Sequence, residues 1–554
     1  MAFEIKLTSS LEKIFGDTDI KTVQELDEIS GLRGERVSFQ LVCRATGVGR
    51  SLRVRAELSG PFEDTAIYEV GQVPCRLPAY EGHDANYLRV TPGMFPDPLL
   101  DTCHDEVRLP WGQCVSFWVS VTIPQDARAG RYPVKVTLIQ LKENGEQVLD
   151  DATFTVRVIP VALPPLEDDF VVSQWFHNDC LATQYHVDVF SEEHWEIISR
   201  YMKNAAWSGI NTIFVPLVTP PLDTAVGAER PTVQLVDITR QNGVYSFAFE
   251  KLERYIKLAQ SHGFRFFELC HLYSQWGATA APKIMATVDG KYTRLFGWDT
   301  DSLSEEYGSF LRQFLSAVIA FFRERGLLEK TLFHISDEPA PEHVDTYKKA
   351  VGCLSETLKD CTTIDALSHI EYYEEGLVKR PIPSLYNVEH FLEHGVPRCF
   401  TYYCCGQDVD VSNRFIAMPS ARNRILGMQM FKYDIGGFLQ WGYNFWYSQL
   451  SRRAIDPYWV TDSDCAFPSG DAFSVYPGED GYPVASLRQV VFYEGLQDLR
   501  ALLLLMSHKS REELSAWLEE CAGGTLTMRQ YPTDAQWLLG MREKINQEIE
   551  ALFC

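Results

Sequence analysis

The sequence predicts a multidomain protein with an N-terminal antiparallel β-sandwich, a (β/α)8 TIM-type barrel and a C-terminal helical extension. The chain has 554 residues, which is too many for one hydrophobic core. Its hydrophobic periodicity changes near residue 165, and strands then alternate with helices. We therefore expect a sandwich over residues 1–165, a barrel over 166–483 and helices packed on the barrel over 484–554.

The predicted sandwich consists of short segments in which apolar and polar residues alternate. Examples are RVSFQLVC, LRVRAEL, VSFWVSVTI and ATFTVRVI. Turn signals such as PQDARAGRY and KENGEQ separate the segments, which is typical of antiparallel strands. The proline-rich and acidic stretch PVALPPLEDD, residues 160–169, predicts a stiff linker after the last of them.

The predicted barrel contains eight strands, each followed by a helix or a helix-like connection. The strands are FVVSQWF, NTIFVPL, FRFFELC, TLFHIS, TTIDAL, PSLYNV, RCFTYYC and GGFLQW. The first long helix, SEEHWEIISRYMKNAAWSG, begins at the capping residue Ser191 and ends at Gly209. The alternative is a doubly wound open sheet, which the lack of a glycine-rich phosphate loop after the first strand disfavours.

Composition and charge argue against several kinds of partner. The formal net charge is -24, which disfavours nucleic acid and anionic membranes because both require a basic surface. No basic-then-apolar leader and no run of about 18 apolar residues occurs, so we expect no signal peptide, no membrane span and a cytoplasmic protein. The 14 cysteines are scattered and are predicted to be reduced thiols.

Aromatic, amide and carboxylate residues gather where the predicted strands end, and barrel enzymes carry their chemistry at that face. Aromatic rings stack on the apolar faces of sugars, while amides and acids bind hydroxyl groups, so this composition predicts a carbohydrate site. His177 and His271 end neighbouring strands close to Asp179, but no ligand pair at helical spacing accompanies them, so we predict substrate contacts and no metal or organic cofactor. The predicted substrate-binding residues are His177, Asp179, His271, Trp276, Asn387, Trp441 and Asn444.

The stretch TLFHISDEPAPEH places Asp337 beside Glu338 at the end of the fourth strand. Strand alternation turns Glu338 inward, where a carboxyl among aromatic rings has a raised pKa and suits a general acid. Asp337 points the other way in an ideal strand, but Pro339 ends the strand and distorted geometry there brings both acids to one substrate. Adjacent acids fit a substrate that supplies its own nucleophile, such as a 2-acetamido sugar. The alternative is a solvated turn or a helix cap.

These residues resemble glycoside hydrolase family 123, whose characterised members are β-N-acetylgalactosaminidases. The resemblance covers roughly residues 165–505 and includes WFHNDC, FHISDEP, TYYCC, GDAFSVYPG and SLRQVVFYEGLQDLR in order. It implies that Glu338 is the general acid/base and that Asp337 orients and polarises the acetamido group. It further implies that Tyr402 binds the acetamido oxygen and that Trp441 forms part of the sugar wall.

The resemblance implies an exo-acting, retaining β-N-acetylgalactosaminidase that acts on a glycan with a terminal N-acetylhexosamine. Relatives often carry tryptophans ahead of the tyrosine, where this chain has Phe400 and Thr401. One alternative is a glycosidase for a non-acetamido sugar, with Glu268 as its nucleophile. Another is a non-catalytic carbohydrate-binding protein on the same scaffold. Arg230, in the loop after the second strand, either reaches the site or ties the loop down.

Overall fold

The computed structural model describes residues 2–46 and 51–554. Its N-terminal part has two five-stranded sheets, in the orders β1-β3-β8-β5-β6 and β2-β10-β9-β4-β7. The strands are β1 (Ala2–Ser9), β2 (Glu28–Arg33), β3 (Arg36–Thr46), β4 (Leu52–Ser59), β5 (Thr65–Cys75), β6 (Gly93–Leu100), β7 (Val107–Leu109), β8 (Cys114–Thr122), β9 (Gly130–Lys142) and β10 (Gly145–Ala162).

The two sheets enclose a shared apolar core. Phe39 of one sheet stacks on Phe154 of the other, with ring centroids 4.0 Å apart. All neighbouring strands are antiparallel except β2 and β10, which are parallel. The prediction of a wholly antiparallel sandwich is therefore corrected at this pair: β2 lies early in the chain and pairs with the last strand of the sandwich.

Eight parallel strands follow in the order β20-β19-β18-β15-β12-β11-β22-β21. A single bridge between Ser384 and Tyr402 spans the two edges, so the barrel is nearly closed. The barrel strands are β11 (Val171–Gln174), β12 (Thr212–Val215), β15 (Phe266–Leu269), β18 (Thr331–His334), β19 (Thr362–Ala366), β20 (Arg380–Ile382), β21 (Phe400–Tyr402) and β22 (Gly437–Gln440). The other strands are β13 (Asp237–Gln241), β14 (Val244–Ala248), β16 (Ile284–Val288), β17 (Lys291–Phe296), β23 (Val475–Pro477) and β24 (Pro483–Ala485).

Seven barrel strands lie where the sequence predicts them, and the sixth does not. The sixth strand ends at Ile382, just before the predicted stretch PSLYNV. The backbone turns there instead, because the N–H of Asn387 donates to the carbonyl of Ser384 at 2.8 Å. The remainder of the predicted strand begins a short helix at Val388.

Twelve α-helices occur in the described ranges, and Ser191 caps the second of them as predicted, by accepting a hydrogen bond from the N–H of His194. No helix in those ranges is long and apolar enough to cross a lipid bilayer. The helices are α1 (Asn178–Tyr185), α2 (Glu192–Trp207), α3 (Glu250–Ser261), α4 (Glu305–Glu324), α5 (Val344–Gly352), α6 (Glu371–Glu374), α7 (Val388–Glu393), α8 (Ser420–Arg424), α9 (Leu426–Lys432), α10 (Leu487–Leu505), α11 (Arg511–Ala522) and α12 (Ala535–Phe553).

The C-terminal helices contact the barrel, as the sequence predicts, and they also contact the sandwich. Helix α10 lies against α8 and α9 of the barrel, and α12 lies against β2 and β10 of the sandwich. Buried ion pairs reinforce this arrangement. Arg488 of α10 pairs with Asp97 of β6 at 2.8 Å, and Arg542 of α12 pairs with Glu35 at 2.8 Å. The sandwich is thereby fixed to the barrel.

Candidate active site

A cavity of about 150 Å³ opens at the end of the barrel where the parallel strands finish. Residues at or beyond the ends of seven barrel strands contribute to it, as expected for a barrel enzyme. Its lining residues are Trp175, Leu222, Asp223, Gln275, Trp276, Asp337, Glu338, Ala366, Tyr402, Cys404, Cys405, Leu439, Trp441, Gln449 and Phe467.

Asp337 and Glu338 both line this cavity, although strand alternation would separate them. Strand β18 ends at His334, and Glu338 has the left-handed backbone angle φ 44°. Its N–H donates to the carbonyl of Ala366 at 2.9 Å, and the carbonyl of Asp337 accepts from the N–H of Trp276 at 2.8 Å. The neighbouring strands thus hold an unfavourable conformation that brings both acids to one place.

The Glu338 carboxyl carries the features of a general acid. The Tyr402 hydroxyl donates to its Oε1 at 2.5 Å. Burial raises the pKa of Glu338, and the Tyr402 bond lowers it in part. More than a third of Glu338 stays exposed at the mouth, so solvent reaches it and limits the rise of its pKa. Burial and the Glu338 charge raise the pKa of Asp337 well above its usual range.

A buried histidine lies beneath the two acids. His334 donates through Nδ1 to Oε1 of Glu268 at 2.9 Å, and its Nε2 lies 3.7 Å from Asp365. Burial alone lowers the pKa of His334, but the carboxylates of Asp365 and Glu268 outweigh burial and raise it to about 9. The charged imidazolium acts on Asp337 in the opposite direction to Glu338, because it favours the ionised form of Asp337.

Two tryptophans of the predicted set, Trp441 and Trp276, line the cavity. The indole N–H of Trp441 donates to Oδ2 of Asp471 at 2.9 Å, and its ring meets Phe467 edge-on. Burial raises the pKa of Asp471 to about 7. Trp276 stands at the rim with 45% of its surface exposed. The cavity therefore has one wall fixed by a hydrogen bond and one open aromatic platform.

His177 and Asp179 lie behind the Trp441 wall and do not line the cavity. Asp179 forms a two-point ion pair with Arg230, at 2.7 and 2.8 Å. Nη2 of Arg230 also contacts His177, and Nε2 of His177 bonds the carbonyl of Trp441 at 3.0 Å. Burial and Arg230 lower the pKa of His177 to about 3, so its ring is neutral. Arg230 therefore ties its loop down, and substrate contact by His177 and Asp179 stays a prediction.

Asn444, Asn387 and His271 also lie outside the cavity lining. Both polar atoms of the Asn444 side chain bond the backbone of His177, at 2.8 and 3.0 Å. Asn387 precedes α7 and accepts a hydrogen bond from the Ser384 hydroxyl. His271 is buried under the cavity floor, against Trp175. Their predicted contacts with substrate stay predictions.

Several lining residues are missing from the predicted set. Asp223 lies in the loop after β12, within PPLDT, and burial raises its pKa to about 6. Gln449, Phe467 and the thiols of Cys404 and Cys405 complete the lining. Asp223 lies in the loop after the predicted strand NTIFVPL, and Cys404 and Cys405 lie at the end of the predicted strand RCFTYYC, so a search of the strand ends could have found all three. Gln449 and Phe467 come from long loops that have no signal in the sequence.

Comparison with known proteins identifies the family. The sequence profile described as "Glycoside hydrolase 123, catalytic domain" matches residues 175–505, more than half of the chain. The fold is similar to that of a family 123 glycoside hydrolase from Clostridium perfringens studied for glycolipid glycan hydrolysis, with 15% identity, 99% of this chain and 98% of that chain covered, and a TM-score of 0.74.

Two further solved structures resemble part of the chain too weakly to support an argument. A GH10 xylanase from Thermobacillus composti has 13% identity, covers 59% of this chain and 97% of its own, and gives a TM-score of 0.30. A family 5 mannosidase from Rhizomucor miehei has 10% identity, covers 60% of this chain and 94% of its own, and gives a TM-score of 0.31. No curated protein matches the sequence. On the profile match, the chain belongs to glycoside hydrolase family 123 and is a glycosidase.

Proposed function

We propose that this glycosidase is an exo-acting, retaining β-N-acetylgalactosaminidase, within the wider class of β-N-acetylhexosaminidases. The observation that carries the proposal is the pair Asp337 and Glu338, which face one cavity from the end of one strand. The usual retaining arrangement needs two carboxyls about 5 Å apart on opposite sides of the bond. Two neighbours in sequence approach from the same side, so this pair does not supply both the acid and the nucleophile, and we infer that the nucleophile comes from the substrate.

In the proposed first step, protonated Glu338 gives its proton to the glycosidic oxygen. The acetamido carbonyl oxygen attacks C1, the bond from C1 to the leaving oxygen breaks, and an oxazolinium ion forms. Asp337 accepts a hydrogen bond from the acetamido N–H and offsets the positive charge. Tyr402, which donates to Glu338 in the substrate-free cavity, then donates to the acetamido oxygen.

In the second step, water attacks C1 on the face that the leaving group vacated. Glu338, now ionised, takes the proton from that water. The C1–O bond of the five-membered ring breaks, the acetamido group is restored, and the sugar leaves with its original anomeric configuration. Trp441 and Trp276 supply the faces on which the sugar ring stacks.

The position of Glu268 weighs against its role as the nucleophile of a glycosidase that acts on a non-acetamido sugar. Glu268 is buried outside the cavity lining and accepts hydrogen bonds from Ser173, Trp175 and His334. Asp223 does line the cavity and is the carboxyl that such an enzyme would use instead. Cleavage of plain β-galactosides, abolished by Asp223→Asn, would favour that second function.

Release of nitrophenol from β-GalNAc, β-GlcNAc and β-galactoside substrates tests the proposal. We expect cleavage of the acetamido sugars alone, with β-GalNAc preferred. Glu338→Gln and Asp337→Asn should each lower kcat/KM by about 10²- to 10⁴-fold. Glu342→Gln is a matched control, because that exposed acid lies four residues beyond Glu338 and outside the cavity. Variants that retain wild-type rates would overturn the proposal.

A further inference from the structure

Two buried histidines lie beneath Asp337, and three of their four ring nitrogens have no hydrogen-bond partner among the described residues. His271 follows β15 and His334 ends β18, and their ring centroids are 3.9 Å apart. Both side chains are fully buried. Within the described residues, both ring nitrogens of His271 and Nε2 of His334 have no hydrogen-bond partner. Because an unpaired buried polar atom is costly, three of them together indicate an occupant that is not part of the chain.

The donor atoms of His271, His334 and Asp337 converge on one point. Each of the three groups offers a ligand atom within 4.8 Å of the other two. Nδ1 of His334 is held by Oε1 of Glu268 at 2.9 Å, and Nε2 has no hydrogen-bond partner. Metal-binding histidines usually give their other ring N–H to a carboxylate in this way. A fourth unpaired atom, Oδ1 of Asp365, lies 3.7 Å from that Nε2.

We propose that His271, His334 and Asp337 form a binding site for a divalent ion of the zinc class, with Asp365 as an available fourth ligand. Imidazole and carboxylate donors suit Zn²⁺, which prefers tetrahedral sites. Bonds of ~2.1 Å place tetrahedral ligands about 3.4 Å apart, so donors that now lie within 4.8 Å of one another must approach by up to about 1.4 Å. Binding displaces the proton from Nε2 of His334. Asp337 lines the cavity, which gives the ion its path to the site.

The ion site shares Asp337 with the proposed hydrolysis, and its effect on activity rests on that proposed function. A carboxylate that coordinates an ion no longer accepts the acetamido N–H of the substrate. Zn²⁺ and substrate therefore exclude each other, and the ion is a competitive inhibitor. No ligand pair at helical spacing marks the site in the sequence, because its two histidines come from different strands of the barrel.

Calorimetric titration of the metal-free, full-length chain with Zn²⁺ tests the site without turnover. We expect one high-affinity ion per chain, and Co²⁺ bound in its place should show the visible absorption of a tetrahedral site. His271→Phe removes two donors and fills the space beside Trp175 and Phe214. It should weaken Zn²⁺ binding by about a hundredfold or more, because the loss of a ligand should cost at least as much as the loss of a residue that only orients a ligand. Thermal unfolding checks that this variant folds, and His334→Gln provides a second removal of a ligand.

Two further variants separate the buried ion site from a surface zinc site and from the hydrolysis. His390 and His394 lie one helical turn apart on the surface, with ring centroids 4.2 Å apart, and form the obvious adventitious zinc site. His390→Ala should leave the high-affinity ion in place. Glu338→Gln should bind Zn²⁺ while losing glycosidase activity, so the two proposals can fail separately. Loss of the ion in His390→Ala alone, unchanged binding in folded His271→Phe, or no stoichiometric binding in the wild type would overturn the proposal.

Discussion

At the scale of single residues, the contact between Tyr402 and Glu338 links structure to pH dependence. The hydroxyl donates to Oε1 of Glu338 at 2.5 Å and stabilises the ionised carboxyl, which lowers its pKa. A general acid must be protonated to act, so the rate falls as the pH rises through its pKa. Removal of the donor raises that pKa and therefore moves the fall in rate to higher pH.

We predict that Tyr402→Phe shifts the alkaline limb of the pH profile of kcat/KM upward and lowers the maximal rate. A series of rate measurements on nitrophenyl β-GalNAc across pH checks both effects. Tyr403→Phe is the matched control, because Tyr403 packs on Phe438 and does not line the cavity. If the alkaline limb of the pH profile is unchanged in Tyr402→Phe, this hydrogen bond does not set the pKa of Glu338.

A second residue-scale prediction concerns the wall of the cavity. Trp441→Phe removes the N–H that pairs with Asp471, so the ring loses its anchor and a buried carboxyl loses its donor. KM should rise about tenfold, with a smaller change in kcat, because stacking acts on substrate and transition state alike. Trp459→Phe, at an indole 70% exposed and outside the cavity, should leave KM unchanged. An equal rise in both variants would contradict the assigned role.

At the scale of elements, the crossing of α9 and α10 depends on a close backbone approach. A Cβ at Gly427 would lie 1.9 Å from the carbonyl oxygen of Gly495. Gly427→Ala should therefore destabilise the fold by about 3 kcal/mol or more, measured by denaturant unfolding. Gly540→Ala, in α12 with open space around it, should instead stabilise by about 0.5–1 kcal/mol. Similar effects of the two substitutions would show that the crossing does not depend on this close approach.

The elements also show which parts of the structure can be predicted from the sequence. The predicted strand TLFHIS contains the observed strand β18, because a run of apolar residues is the main sequence signal of a buried parallel strand. The left-handed angle of Glu338 has no such signal. It depends on bonds to Ala366 and on the position of Trp276 beside Asp337, which are contacts between distant parts of the chain. The sequence predicts the two acids as a pair, and tertiary packing decides that both reach the cavity.

At the scale of the whole molecule, the buried ion pair between Asp97 and Arg488 is one of several contacts that join the sandwich to the barrel and the C-terminal helices. Asp97 accepts two hydrogen bonds from Arg488 and one from Tyr476. Asp97→Ala leaves the guanidinium buried and unpaired, and should cost about 3–5 kcal/mol of stability. Calorimetry should show a lower melting temperature, whereas Arg53→Ala, at an exposed pair with Glu106, should not change it. An unaltered transition in Asp97→Ala would mean that the two parts are held by other contacts.

The overall arrangement was predictable in outline, because alternating periodicity and strand–helix order specify a sandwich and a barrel. The path of the C-terminal helices could not be predicted from the sequence. Apolar and charged residues in α12 are compatible with packing on either part, and the choice depends on partners such as Glu35 in the distant sandwich. The role of Asp471 was not predictable either, since it depends on the hydrogen bond that this buried carboxyl accepts from the indole of Trp441.

The most direct test of the central claim is inhibition by a GalNAc-derived thiazoline, the stable mimic of the oxazolinium ion. If the substrate's acetamido group is the nucleophile, this compound should inhibit competitively and far more strongly than GalNAc itself. Asp337→Asn should weaken that inhibition, because Asp337 is proposed to hold the ring nitrogen. An enzyme that hydrolyses β-GalNAc but ignores the thiazoline would contradict the claim and would point to a protein nucleophile, with Asp223 the first candidate.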